Sequence, residues 1–314
     1  MARIGTSDLD VFPLNLGGNV FGWTADESTS FAILDSFVEA GGNFIDTADG
    51  YSRWVPGHVG GESETIMGRW IKRRGRHDDL VIATKVGKKP DLLGLAPDTI
   101  RQACDGSLTR LNIDCIDLYY CHADDPDVPL EDTLGAMADL VTAGKVRHIA
   151  ASNYTVDRLA EALAISDAHG WPRFVALQPH YNLVVRDEYE GPLQSLCAEQ
   201  DISCLPYYAL ASGFLTGKYR NLEHVHGDRA EKAKAYEHDR GARILEAMEI
   251  VAQRHNVTLA SIAIAWLTHQ PTVAAPIASA SRPDQLPALM TGATLRLSSE
   301  DLALLDQVSA PGDA

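Results

Sequence analysis

Four side chains of this sequence have the chemistry and the positions needed for proton transfer. Asp46, Lys85 and His122 each directly follow a short apolar segment, and Tyr51 lies five residues beyond Asp46. Because an isolated buried charge is costly, we expect Asp46 and Lys85 to pair inside the fold. An ammonium beside a phenol lowers the pKa of the phenol, so Tyr51 could act as a general acid–base toward a carbonyl oxygen that His122 orients.

Each of the four residues also has a purely structural interpretation. Asp46 and Lys85 could form a buried ion pair without catalytic function, and His122 could be a core histidine with satisfied hydrogen bonds. Tyr51 could be an unrelated surface residue. Four residues that can form one proton-transfer site, all on the same predicted rim of the fold, favour the functional interpretation.

The composition excludes several classes of protein. The 314 residues are 45% hydrophobic and 22% charged, which excludes disordered and low-complexity chains. The formal net charge of −16 disfavours nucleic acid as a partner, although a small anion could still bind through a few local cations. No apolar segment approaches the roughly 20 residues of a membrane span, the N-terminus lacks a signal-peptide pattern, and the cysteines form no C-x-x-C. We therefore expect a cytoplasmic protein with reduced cysteines and no membrane partner.

Motifs for other cofactors are incomplete. No G-x-G-x-x-G follows the first predicted strand, so the Rossmann fingerprint is missing. Residues 213–219 resemble a Walker A loop but have only three residues between the glycines and a tyrosine at the last position. His224 and His226 alone are weak evidence for a metal ligand pair, so we expect no metal site.

The elements that must position these residues alternate regularly along the chain. Short apolar segments alternate with segments whose apolar positions recur at three and four residues, and several of the latter end in glycine. The predicted strands are residues 13–18, 43–49, 79–86, 116–122, 146–152, 174–179, 202–210 and 272–279, and the predicted helices include residues 30–40, 63–74, 98–111, 130–143, 156–169 and 243–254.

This alternation predicts an α/β fold, a single (β/α)8 TIM barrel over residues 1–314, preceded by an N-terminal β-hairpin at residues 3–13. The four candidate residues then fall on the C-terminal rim, where barrel enzymes place catalytic groups. Residues 221–241 are polar and are predicted to be a loop at the same rim. This loop could be a mobile lid near a cofactor or a plain solvated excursion.

At this point the sequence resembles the aldo-keto reductases. Residues 44–51 (FIDTADGY) resemble the D-T-A-x-x-Y signature of that family, and residues 61–64 (GESE) its G-x-S-E helix start. Residues 83–86 and 118–122 resemble its strand-three lysine and strand-four histidine, and the resemblance extends from residue 16 to residue 286. It implies a barrel that binds NADP(H) and reduces aldehydes or ketones. In that family pattern Tyr51 is the proton donor, Lys85 and Asp46 tune it, and His122 orients the substrate carbonyl.

The resemblance also implies a set of cofactor contacts. Ser152, Asn153 and Gln178 match residues that hold the nicotinamide carboxamide, Tyr207 matches the ring that stacks on the nicotinamide, and Lys218 matches a position beside the pyrophosphate. The expected cofactor-binding residues are Gly18, Asn19, Ser152, Asn153, Gln178, Tyr207, Leu210, Gly213, Lys218, Ser279, Ser281, Arg282 and Gln285.

The choice between NADP and NAD is open at this stage. An arginine near a helix start is a good phosphate ligand, so Arg282 could bind the adenosine 2′-phosphate, or it could be a solvated surface cation. Ser279 stands where the family usually has glycine, and Leu289 where it often has asparagine. Residues 208–209 (Tyr-Ala) stand where the family pattern has a Ser-Pro pair. These departures leave NADP(H) as the expected cofactor and NAD(H) as the alternative.

The sequence encodes the substrate less clearly. Trp23 and Trp54 lie in loops that should surround the mouth of the barrel, where they could line a pocket for a small carbonyl substrate or only pack beneath the loops. The first hypothesis is an NADPH-dependent aldehyde or ketone reductase, and the alternative is an NADP(H)-binding redox-sensing or regulatory subunit, like the channel-associated β-subunits that resemble this family. A metal-dependent barrel hydrolase is the least favoured hypothesis, because His122 and Asp124 are the only candidate metal ligands at the predicted strand ends. The oligomeric state stays open.

Overall fold

Twelve strands are formed by the part of the chain that the structure, a computed structural model, describes: residues 1–219, 233–234, 236 and 239–311. They are β1 Ala2–Arg3, β2 Asp10–Val11, β3 Asn15–Gly17, β4 Phe44–Asp46, β5 Val81–Val86, β6 Lys88–Lys89, β7 Leu92–Leu93, β8 Ile116–Cys121, β9 Val146–Ser152, β10 Phe174–Gln178, β11 Ser203–Cys204 and β12 Ile277–Ala278. Eight of them form one parallel sheet in the order β11-β10-β9-β8-β5-β4-β3-β12.

The two outer strands of this order are joined by backbone hydrogen bonds. Cys204 N donates to Thr272 O at 2.8 Å, Ala274 N donates to Cys204 O at 3.0 Å, and Ile277 N donates to Pro206 O at 2.8 Å. These bonds close the sheet on itself, so no strand edge is left open there. The prediction of a (β/α)8 barrel is confirmed.

Helices surround the barrel and connect its strands. They are α1 Glu27–Glu39, α2 Glu62–Arg74, α3 Pro97–Leu111, α4 Leu130–Thr142, α5 Val156–His169, α6 Pro192–Glu199, α7 Asp239–His255, α8 Leu259–Thr268, α9 Leu286–Thr294 and α10 Ser299–Ser309. The α5 boundaries match the prediction because Thr155 caps the first turn and Gly170, at φ 64°, ends the helix in the left-handed conformation. Ser298 caps α10 and forms a full capping box with Asp301.

The period of two along each strand separates two cores. Phe44, Ala83 and Leu118 point into the barrel, whereas their neighbours Ile45 and Ile82 pack under the helices. The predicted N-terminal hairpin is present as β1 and β2, and its apolar side chains join the cluster inside the barrel. The hairpin therefore covers the end where the strands begin and leaves the opposite rim for loops.

Two predicted strands are much shorter than expected. The segment 202–210 contributes only Ser203–Cys204, and the segment 272–279 only Ile277–Ala278. Pro206 has no N–H to donate to a ladder, and Tyr208 takes φ 56°, which turns the chain away from the strand direction.

The predicted loop 221–241 lies mostly outside the described residues, together with His224 and His226. Its last residues, 239–241, begin α7. No helix in the described ranges combines the length and the apolar character that a membrane crossing requires.

Candidate active site

The end of β5 places an ammonium at the centre of a buried hydrogen-bond cluster. The side chains of Lys85 and Asp46 are both fully buried and form an ion pair. Lys85 Nζ also donates to Thr47 O at 2.7 Å and to Tyr51 Oη at 2.9 Å. All three N–H donors of the ammonium therefore have partners, which fixes its position beneath the phenol.

The Asp46 carboxylate is held from two sides. Besides Lys85, its Oδ1 accepts from Tyr51 Oη at 3.4 Å, and its Oδ2 accepts from Gln178 Nε2 at 3.0 Å. Burial raises the pKa of Asp46 and lowers the pKa of Lys85, because desolvation penalises both charged forms, while their mutual attraction opposes these shifts. The charge of Asp46 and the charge of Lys85 thus stabilise each other, and the two residues pair as the sequence predicts.

The pKa of Tyr51 departs from its expected direction. Burial raises it well above the ordinary value, and the adjacent Asp46 carboxylate raises it further. The expectation that Lys85 would lower this pKa was wrong, because loss of solvation of the phenolate outweighs the attraction of an ammonium that is already paired. Tyr51 is therefore protonated at neutral pH and can donate its proton.

His122 stands over the same phenol. Its ring contacts that of Tyr51 edge to face, with centroids 5.9 Å apart. Burial lowers the pKa of His122 well below its ordinary value, and the positive charges of Lys85, Lys88 and Arg53 lower it further. Its Nδ1 is buried and has no hydrogen-bond partner among the described residues. The imidazole is therefore neutral at pH 7, with a polar atom available.

Tyr51 and His122 border a cavity of about 730 Å³ at the rim where the barrel strands end. This volume lies within the roughly 300–1,000 Å³ that is typical of small-molecule sites. Most of the predicted site residues line it, namely Asn19, Trp23, Tyr51, Trp54, His122, Ser152, Asn153, Gln178, Tyr207, Leu210, Gly213, Lys218, Ser279 and Gln285.

A chain of hydrogen bonds connects the polar residues on one wall of the cavity. Ser152 Oγ donates to Gln178 O at 2.9 Å, Asn153 Nδ2 donates to Ser152 Oγ at 3.0 Å, and Tyr207 Oη donates to Asn153 Oδ1 at 2.8 Å. Asn153 has φ 57°, a left-handed conformation that asparagine tolerates better than most residues. The Tyr207 ring stacks on His180 with centroids 5.3 Å apart. This wall is therefore rigid.

Two glycines that line the cavity are closely approached by neighbouring side chains. A Cβ on Gly17 would lie 2.6 Å from Ser279 Oγ, which itself donates to Asn19 Oδ1 at 2.6 Å. Gly213 has φ 97°, and a Cβ there would lie 2.9 Å from Lys218 Cε. Only glycine fits at these two positions without displacing its neighbours.

Five predicted residues do not line the cavity. Asp46 and Lys85 lie beneath Tyr51, and Gly18 is buried beside Ser63. Ser281 and Arg282 also lie outside the cavity lining, and the Arg282 side chain is exposed and pairs with Asp284 at 3.0 Å.

The sequence reasoning missed two cations that line the cavity, Arg53 and Lys88. They lie two residues beyond Tyr51 and three beyond Lys85, so proximity to the candidate residues was a usable signal. Other lining residues that were not predicted are Gly17, Tyr208, Ala209, Ser212, Thr216, Thr258, Ala260, Ile277, Ala278, Ala288 and Leu289.

Comparison with known proteins gives a consistent result. A model of the aldo/keto reductase family matches residues 13–310. The protein tas of Escherichia coli (strain K12) is 33% identical, covering 98% of this chain and 96% of that protein. Aldo-keto reductase yakc of Schizosaccharomyces pombe, whose name specifies NADP(+), is 33% identical over 82% of this chain and 76% of its own length. A probable voltage-gated potassium channel subunit beta of Arabidopsis thaliana is 32% identical, with coverages of 90% and 88%.

Proposed function

Because the chain belongs to the aldo/keto reductase family, we propose that it reduces an aldehyde or ketone to an alcohol with NADPH as the hydride donor. One observation carries the proposal: Tyr51 lines the cavity and its hydroxyl lies 2.9 Å from Lys85 Nζ, which is in turn held by Asp46. A protonated phenol over a fixed ammonium is a suitable proton donor to a carbonyl oxygen.

The cavity has features that suit a dinucleotide. Gly17 and Gly213 line it, and the absence of a side chain at these positions lets Ser279 and Lys218 pack against the backbone. Lys218 also lines the cavity and forms no ion pair within the described ranges, so its charge is available to a phosphate. When bound, the nicotinamide would supply a hydride to the carbonyl carbon.

Three residues of this chain would handle the proton. Tyr51 gives its proton to the carbonyl oxygen, Lys85 stabilises the phenolate that remains, and Asp46 keeps the ammonium in place. The raised pKa of Tyr51 keeps the proton on the phenol until negative charge develops on the substrate oxygen. Proton donation by Tyr51 would therefore accompany reduction of the carbonyl carbon.

The neighbouring residues would orient the reactants. His122, neutral because its pKa is lowered, can hydrogen-bond the carbonyl oxygen without competing as an acid. Ser152, Asn153 and Gln178 would hold the carboxamide of the nicotinamide, and Tyr207 would stack on its face. Each of these four is held by hydrogen bonds or stacking already described.

NADPH is the expected form of the cofactor. The fission yeast relative carries NADP(+) in its name, and Arg282 is an exposed guanidinium whose partner, Asp284, is also exposed. An exposed pair of this kind contributes little stability and exchanges readily for a phosphate. NADH is the alternative.

Tyr51→Phe tests the proposal. The variant should lose turnover by at least about 100-fold while its affinity for NADPH changes little, because only the donated proton is removed. Turnover is followed at the nicotinamide absorbance with a panel of aldehydes and ketones, and binding by fluorescence titration. Wild-type activity in the variant would refute the role of Tyr51. Tight NADPH binding with no turnover by the wild-type protein would instead favour a redox-sensing or regulatory subunit.

A further inference from the structure

Two cations stand at the Tyr51 end of the cavity. Arg53 lies in the loop after β4, and Lys88 begins β6 two residues after the end of β5, so both cations follow the strands that carry Asp46 and Lys85. Arg53 Nη1 donates to Gly50 O at 3.2 Å. A Cβ on Gly50 would lie 3.0 Å from Arg53 Nη1 and 2.8 Å from Lys88 O. The guanidinium and the Lys88 backbone therefore flank the same glycine.

Neither cation is paired with a carboxylate of the described residues. The neighbouring lysines differ, since Lys85 pairs with Asp46 and Lys89 pairs with Asp91. Carboxylates are not scarce, because the chain has 43 acidic residues against 27 Lys and Arg. Arg53 and Lys88 therefore place unpaired positive charge on this wall of the cavity, although the chain as a whole is acidic.

The charges of both residues reach the reaction centre. Burial lowers the pKa of His122, and the charges of Lys85, Lys88 and Arg53 lower it further. Burial also lowers the pKa of Lys88, and the charge of Arg53 adds to that shift. Like charges held together in a half-buried wall raise the free energy of the site, and a bound anion would relieve that repulsion. Lys218 is not part of this group, because it contacts the Tyr219 ring, 4.7 Å from its centroid, beside Gly213.

An apolar surface adjoins the two cations. The Trp54 ring lies 5.7 Å from the Trp23 ring and 6.1 Å from the Tyr51 ring, and the Arg53 guanidinium lies 5.9 Å from the Trp54 ring. A ligand that reaches from Tyr51 to Arg53 therefore passes an aromatic wall and ends at positive charge.

We propose that the carbonyl substrate carries an anionic group, a carboxylate or a phosphate, which Arg53 and Lys88 bind while the carbonyl oxygen meets Tyr51 and His122. This inference rests on the proposed reductase function and narrows its substrate class. Arginine offers a planar fork that suits either anion, and the lysine adds a point charge beside it.

Matched pairs of aldehydes test the proposal in the wild-type protein. 4-Carboxybenzaldehyde is compared with methyl 4-formylbenzoate, and glyceraldehyde 3-phosphate with glyceraldehyde, so that the two arms separate carboxylate from phosphate. The charged member of at least one pair should have a kcat/KM at least about tenfold higher. Arg53→Gln and Lys88→Gln should each lower that ratio about tenfold, the effect expected for the loss of one charge-assisted hydrogen bond. Lys72→Gln, which removes an exposed cation on α2, is the control and should leave the ratio unchanged.

The possible failures are distinguishable. If neutral aldehydes are reduced as well as charged ones in both arms, or if neither variant changes the ratio, the anion proposal is overturned and the reductase function stands. If no aldehyde is reduced, the reductase function fails. Benzoate binding, monitored by tryptophan fluorescence, then tests whether Arg53 and Lys88 form an anion site. Weaker benzoate binding in Arg53→Gln and Lys88→Gln than in Lys72→Gln would retain that site, and equal binding would overturn it.

Discussion

Replacing Lys85 by methionine separates the structural role of the buried ion pair from its chemical role. The substitution keeps an unbranched side chain one heavy atom shorter than lysine but leaves the Asp46 carboxylate fully buried with only Gln178 Nε2 at 3.0 Å and Tyr51 Oη at 3.4 Å as donors. Removing one partner of a buried pair typically lowers the free energy of unfolding by about 3–5 kcal/mol. We expect a loss of this size for Lys85→Met at pH 8.

This loss should depend on pH in a defined direction. Burial already raises the pKa of Asp46 above its unfolded value of 3.8, and without Lys85 the main opposing attraction disappears. A carboxyl whose folded pKa is raised costs no stability when the pH is below its unfolded pKa. As the pH rises from the unfolded to the folded pKa, the free energy of unfolding falls by about 1.4 kcal/mol per pH unit. The difference between Lys85→Met and the wild type should therefore shrink as the pH falls toward 4.

A second variant supplies the control. Asp46→Asn combined with Lys85→Met removes the buried charge altogether, so most of the stability at pH 8 should return and its added pH dependence should disappear. Turnover should not return, because Tyr51 still lacks the ammonium, and both variants should remain at least about 100-fold below the wild type. Urea unfolding followed by tryptophan fluorescence measures stability from pH 5 to 8, and NADPH oxidation measures turnover.

Two results would contradict this reasoning. Wild-type stability of Lys85→Met at pH 8 would mean that Asp46 is not left as an uncompensated charge. Recovery of turnover in the double variant would mean that Tyr51 donates its proton without Lys85.

Three further predictions concern other parts of the molecule. Arg282→Ala should weaken NADPH binding about tenfold or more and leave NADH binding nearly unchanged, as measured by fluorescence titration, and equal losses would count against a 2′-phosphate contact. Burial raises the pKa of Asp49 from 3.8 to about 7, so stability is lost as the pH rises through that range, and Asp49→Asn should gain up to about 4 kcal/mol at pH 8 but nothing at pH 4 in urea unfolding. Gly68→Ala should lower the unfolding temperature, because its Cβ would lie 2.0 Å from Arg110 O, whereas Gly106→Ala, which meets only the flexible end of the Arg110 side chain, should be tolerated.

Local sequence signals were sufficient for the barrel. The apolar period of α5, its glycine at residue 170 and the change to a β-branched segment at residue 146 each report on neighbours in sequence, and the structure follows them. Strand length was harder to predict. The run at residues 202–210 is apolar enough for a long strand, but pairing there depends on Pro206 and on the partner at residues 272–277, which one strand alone does not reveal.

The candidate site was predictable where charge follows an apolar strand. Asp46 and Lys85 had to be paired, and strand order put them side by side. The pKa of Tyr51 was not predictable in the same way, because its direction depends on the depth of burial and not only on the nearest charge. Arg53 lies in a loop and Lys88 in a two-residue strand, and neither segment has a periodic pattern, so their convergence on one glycine is visible only in three dimensions.

The distribution of charge connects the fold to the chemistry that we propose for it. An exposed cation such as Lys72, which forms no ion pair with the residues that the structure describes, is solvated and changes the free energy little. Lys88 is different, because burial lowers its pKa and the neighbouring guanidinium lowers it further. The acidic surface repels anions at long range, but beyond a Debye length of about 8 Å at physiological ionic strength that repulsion is largely screened. Selection for a negative group would therefore be exerted inside the cavity, by two cations that follow the strands carrying Asp46 and Lys85.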